Sequence, residues 1–197
     1  MRKSTFTWIF KPMLSSIFKS RSNKTGGAYT VAEHDAVQPL GNIPQSSVGA
    51  PLPCIVATEH SLCVVFLLEA HDPDWDGSYV RVVSETSRGE PICAVHFTHA
   101  IAHFFGPPND EAFRGHPLAE RGLRPYGAFE VTSSSWVHAL ERMNSIHHYH
   151  DPELFKTYRH FILTFHDTTF ECVAKSYSCE VHTGSLQQVM EGLCRSL

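Results

Sequence analysis

Apolar positions along the chain fall into short runs separated by turn residues. "CIVATE" (54–59) and "LCVVFLLEA" (62–70) are dense in β-branched and apolar residues, and both read as strands. "YVRVVSE" (79–85) alternates and predicts a third strand. "PICAVHFTHAIAHFFG" (91–106) fits one long bent strand, two strands, or a strand followed by a short helix. "YGAFEVT" (126–132) predicts another strand.

The period then changes. Trp136, Val137, Leu140, Met143 and Ile146 recur at helical spacing, and one of Ser133, Ser134 or Ser135 is placed to cap that helix. "DPELF" (151–155) opens a short helix with Asp151 as N-cap and Pro152 in the first turn, where a missing N–H costs nothing. "YRHFILTF" (158–165) and "TFECVAKSY" (169–177) flank "HDT" and predict an antiparallel hairpin. "SCEVH" (178–182) adds a strand, and the S-x-x-Q pair Ser185 and Gln188 predicts a capping box. Leu186, Val189, Met190 and Leu193 form the inward face of the helix that follows. Strands in runs, with few helices and no βαβ alternation, predict a single α+β domain with a mainly antiparallel sheet and two or three helices.

Composition adds organisation. The chain has 197 residues, 42% of them hydrophobic, including 13 Phe, which is enough for one sizeable core. No apolar run approaches the ~20 residues of a membrane-spanning helix, so no transmembrane segment is expected. Charge is uneven. Residues 1–32 hold Arg2, Lys3, Lys11, Lys19, Arg21 and Lys24 and no acid, whereas the remainder is acidic. An acidic body disfavours nucleic acid as a partner, because binding phosphates needs Lys and Arg. The leader contains "FTWIF", too short for a secretory apolar segment. Cytoplasmic residence is expected, with a mitochondrial presequence as the alternative. "QPLGNIPQSSVGAPLP" (38–53) carries four prolines and two glycines. Residues 1–53 therefore read as a basic leader and linker, largely disordered, ahead of a globular domain at 54–197. The six cysteines form no C-x-x-C pair and read as reduced, buried thiols.

Candidate chemistry starts at "DPDWDG" (72–77), which begins like a calcium loop. Such a loop needs a Glu at position 12, where this chain has Val83, and Glu85 falls two residues late. The segment reads as a polar strand connection instead. Fourteen histidines are an excess. His99 and His103 have i, i+4 spacing, but Ala100 stands where a zinc protease carries its general base. "HHYH" (147–150) sits at a helix end, where protonated imidazole is favoured. No metal ligands and no cofactor are assigned, and no G-x-S-x-G, P-loop or G-x-G-x-x-G occurs.

The long connection "FGPPNDEAFRGHPLAERGLRPYG" (105–127) holds four glycines and four prolines, yet Phe105, Phe113, Leu118, Leu123 and Tyr126 mark it as packed. Its polar residues Asn109, Asp110, Glu111, Arg114 and Arg121, joined by Asn144, form the candidate ligand-binding set. His116, His147, His166 and Asp167 form the candidate catalytic set, since a His–Asp pair supports general base chemistry. Two functions compete. The first is a small binding or accessory protein, a factor in some pathway, that meets a protein or small molecule through the 105–127 loop. The second is a small enzyme using His/Asp acid–base or metal-assisted chemistry. A concave pocket joining the candidate side chains favours the enzyme.

Overall fold

The computed structural model describes residues 30–59, 61–70, 76, 78 and 81–196. Nine strands form two antiparallel sheets. They are β1 (Ala36–Pro39), β2 (Cys54–Ala57), β3 (Leu62–Leu67), β4 (Glu90–Thr98), β5 (Ala102–Gly106), β6 (Ala128–Thr132), β7 (Arg159–Thr164), β8 (Thr169–Ala174) and β9 (Ser176–Gly184). One sheet has the order β1-β6-β7-β8-β5 and the other β2-β3-β4-β9. The predicted α+β class holds, with three helices: α1 (Ser135–Asn144), α2 (Pro152–Phe155) and α3 (Leu186–Arg195).

Strand alternation explains the layering. Leu62, Val64 and Phe66 of β3, with Cys93, Val95 and Phe97 of β4, meet Phe161, Leu163, Phe170 and Cys172 of β7 and β8 between the sheets. The opposite faces of the same strands need their own cover. Cys63, Val65, Ile92 and Ala94 are covered by Leu186, Val189, Met190 and Leu193 of α3. Ile162 and Val173 are covered by Trp136 and Val137 of α1 and by Phe113, Leu118 and Leu123 of the 105–127 connection. The result is helix, sheet, sheet, then helix with loop. β3 and β8 are buried along their whole length and β7 everywhere but Arg159, which is why they read as nearly continuous apolar runs.

The helix signals act as expected. Ser134 caps α1 by accepting from the Trp136 and Val137 N–H groups, Asp151 caps α2, and Ser185 with Gln188 closes the capping box of α3. Of the three alternatives for 91–106 the structure takes two strands, β4 and β5. Three expectations need correction. The described part of 79–85 forms no strand and pairs with neither sheet, and Val82 is 87% exposed. The face of α1 does not extend to Ile146. The helix ends at Asn144, leaving Met143 and Ile146 in solvent. Part of the Pro/Gly-rich stretch is built into the fold rather than lying outside it. β1 pairs with β6, Ile43 and Ser46 are buried, and Ser46 bridges to Leu68. Its prolines suit an edge strand, where a missing N–H goes unnoticed. The basic leader through residue 29 and most of the acidic run 72–77 lie outside the described residues. Asp76 accepts a hydrogen bond from the Ser78 N–H at 2.8 Å.

Candidate functional site

The 105–127 connection is ordered by bonds at both of its faces. Two short 3-10 turns, Phe113–Gly115 and Ala119–Arg121, fold it back on itself. Beneath it, His116 is 3% exposed and its Nε2 lies 3.1 Å from Glu171 Oε1 on β8. The other carboxylate oxygen, Oε2, lies 2.9 Å from His160 Nε2 on β7. His116 Nδ1 accepts the Leu118 N–H, so its ring proton is assigned to Nε2, aimed at Glu171. Ser134 Oγ accepts two N–H groups of α1, so its hydroxyl proton is assigned to His160 Nδ1, 3.0 Å away. His160 then also donates through Nε2. Burial pushes the Glu171 carboxyl up, but hydrogen bonds from His116 and His160 outweigh it and hold the group at about 2. The network ties the cap of α1, two central strands and the loop together.

A second cluster lies at the loop's ends. Tyr126 donates its hydroxyl to Asp110 Oδ2. His166 Nδ1 lies 3.0 Å from the same oxygen and 2.9 Å from the Tyr126 hydroxyl. With the Tyr126 proton given to Asp110, the His166 ring proton sits on Nδ1 and Nε2 faces outward on a half-exposed ring. The Tyr126 hydrogen bond is the chief cause that lowers Asp110, and the same bond pushes Tyr126 up to about 12. Tyr126 also sits at φ +57°, a conformation that costs a non-glycine residue energy and that clusters at functional sites. The next residue must be Gly127, because a Cβ there would meet the Phe129 ring at 2.8 Å.

Tyr126 lines a cavity of about 210 Å³ between the segment 39–46 and the ends of β6 and β7. Its walls are Pro39, Leu40, Ile43, Pro44, Phe66, Ala128, Phe129, Leu163 and Phe165, with Gln45, Ser46, Gly127 and Thr164 as the remainder. No charged side chain contributes. Thr164 Oγ1 is already engaged with Arg124 O and the Gly127 N–H. Ser46 differs. It is 5% exposed, and its Oγ has no hydrogen-bond partner among the described residues. Asp110 Oδ1 and Thr168 Oγ1, on the segments that hold the tyrosine cluster, are buried without partners as well. Buried polar atoms in native proteins are nearly always satisfied, so an orphan calls for an explanation.

The remaining sequence candidates are placed as follows. Asn109 Oδ1 accepts the Ala112 N–H at 3.0 Å and shapes the loop start. Arg121 donates to the carbonyls of Ala32 and Asp35 and clamps the entering chain. Glu111 and Arg114 are exposed. Asn144 Oδ1 holds His150 Nδ1 at 3.0 Å, and exposed His147 accepts the Tyr149 N–H through Nδ1. Asp167 lies 4.0 Å from His166 Nε2, beyond hydrogen bonding. So Asp110 and His166 are brought together, with Tyr126, while His116 serves a separate buried network and His147 its own turn. Among the described residues no three His, Cys, Asp or Glu side chains, His99 and His103 included, gather as a metal site. Among the same residues no helix is long and apolar enough to cross a membrane. Comparison with protein-family models, curated proteins and solved structures found no match.

Proposed function

We propose that the protein is a small-molecule-binding protein, and that its site is the cavity at the base of the 105–127 connection. The observation that carries this reading is the Ser46 hydroxyl, buried and unpartnered in a residue that lines a mostly apolar, uncharged cavity. Leaving such a group unsatisfied costs about 1–3 kcal/mol, which a ligand's hydrogen bond would recover once the hydroxyl turns toward the cavity. An engineered apolar cavity of about 150 Å³ takes benzene. A volume of about 210 Å³ therefore suits a compact neutral molecule, a ring or branched chain carrying one or two polar groups. Tyr126, strained in its backbone, would present its ring to that molecule while its hydroxyl stays with Asp110.

The test is thermal unfolding of the full chain with phenol, benzyl alcohol and indole as probes. Ligand at 100 times its Kd adds about 2.7 kcal/mol to the unfolding free energy. The expected result is stabilisation by at least one probe, lost in Ala128→Leu, which fills the cavity, and weakened in Ser46→Ala. No stabilisation by any probe, or equal stabilisation of Ala128→Leu, overturns the reading.

A second reading rests on a separate observation. Asp110 orients His166 through Nδ1 and leaves Nε2 outward, the arrangement of a general base. Neither Asp110 nor His166 lines the cavity, and this favours binding over catalysis.

A further inference from the structure

We propose that Cys93 and Cys179 are a modification site, the two halves of a disulfide that bridges β4 to β9. All six cysteines are free thiols in the structure. Cys93 and Cys179, 86 residues apart in the chain, bring their Sγ atoms to 3.0 Å. The sheet register accounts for the meeting. Cys93 pairs with Val181 and Val95 with Cys179, so the cysteines are diagonal neighbours on adjacent strands. Both side chains belong to the same side of the sheet, since Cys93 lies in the core between the sheets and Cys179 packs against that core. A disulfide needs the sulfurs about 1 Å closer, at 2.03–2.05 Å.

The chemistry follows from exposure. Cys93 is fully buried, and desolvation and the Cys179 contact raise its thiol, so it does not start the reaction. Cys179 is half-buried and takes the first step with a low-molecular-weight disulfide as oxidant. The Cys179 thiolate attacks one sulfur of that disulfide, breaks its S–S bond and releases one small thiolate. The Cys93 proton passes to that thiolate. The Cys93 thiolate then attacks Cys179 Sγ, breaks the mixed disulfide, forms the bridge and expels the second small thiolate, which takes up the proton that Cys179 had given to solvent. Two protein thiols are oxidised and one small disulfide is reduced to two thiols. β9 is an edge strand that leads directly into α3, so the bridge would staple the C-terminal strand and helix to the central strand β4. The proposal is independent of the cavity.

The experiment exposes the full chain to oxidised glutathione, quenches with acid, and maps the products by mass spectrometry without reduction. The expected product is about 2 Da lighter than the reduced chain at these residues, with the Cys93 and Cys179 peptides linked. Its Tm should rise by roughly 5–15 °C over the reduced protein. In Cys93→Ala, glutathione should remain attached to Cys179, because the resolving thiol is gone. A stable glutathione adduct on Cys179 of the unaltered chain overturns the proposal. So does a crosslink that joins Cys54, Cys63, Cys172 or Cys194 instead.

Discussion

At the residue scale, three polar groups separate structure from function. Glu171 has no apolar substitute, because two imidazoles aim their ring protons at it. Glu171→Ala should cost about 3–5 kcal/mol, measured by denaturant unfolding, since it strips partners from two buried donors. The same group sets an acid limit. Its carboxyl is depressed to about 2 in the folded state against an ordinary 4.5, so the folded form binds the proton more weakly than the unfolded chain. Its stabilisation is complete above about pH 5 and is lost as pH falls toward 2, amounting to about 3 kcal/mol at ~1.4 kcal/mol per unit. A pH series of unfolding midpoints should show that loss in the unaltered protein and not in Glu171→Gln. Ser46 is the converse case. Its hydroxyl has no partner, so Ser46→Ala should leave the free protein as stable or slightly more so. Tyr126 should titrate near 12 in the carbon NMR spectrum of its ring, and Asp110→Asn should return it toward 10, because the hydrogen bond to the carboxylate is what holds its proton.

The sequence marked His116, His166 and Asp110 as chemistry-bearing, but it did not reveal their partners. Glu171 sits in the run "TFECVA", where one acid among buried residues looks like ordinary alternation, and His116 is 55 residues away. Tyr126 read as a packing residue because its positive φ has no local signature. Ser46 was hidden inside a stretch whose prolines and glycines suggested a linker. The signals that could have found these groups are weak. A charged residue in an otherwise wholly apolar strand implies a buried partner.

At the element scale, boundaries were legible wherever a cap or a turn supplied them. The S-x-x-Q box at Ser185 and the Asp-Pro start of α2 fall where the sequence placed them, because capping is local chemistry. Ser185→Ala should cost about 1 kcal/mol, measured by chemical unfolding. Pairing is not local. Alternation in 79–85 resembles a strand, but a strand also needs a partner, and the described residues 81–85 pair with neither sheet. Periodicity carried α1 two residues too far for the same kind of reason: Ile146, 93% exposed, has nothing to pack on beyond the last turn.

At the scale of the whole molecule, two antiparallel sheets share one core, and each outer face is closed by a different device. α3 closes one. The other needs α1 and the 105–127 connection, which is why that connection is long, carries apolar residues and is pinned from below by His116. Residues 30–53 complete this arrangement. Asp35 accepts hydrogen bonds from Ala32 and Ser135, Arg121 holds the carbonyls of Ala32 and Asp35, and β1 pairs with β6. A chain beginning at Cys54 should therefore unfold at lower denaturant or accumulate as insoluble protein. Residues 39–46 also form one wall of the cavity, so the shorter chain should lose probe binding.

The most direct measurement of the central claim is a titration of the full chain with phenol, followed by methyl and aromatic NMR shifts. Saturable shifts confined to Ile43, Tyr126, Ala128 and Leu163, and absent in Ala128→Leu, are the result this account expects. Shifts centred instead on the groove between β9 and α3, at Val189 and Leu193, or no saturable shifts at any concentration, would contradict it.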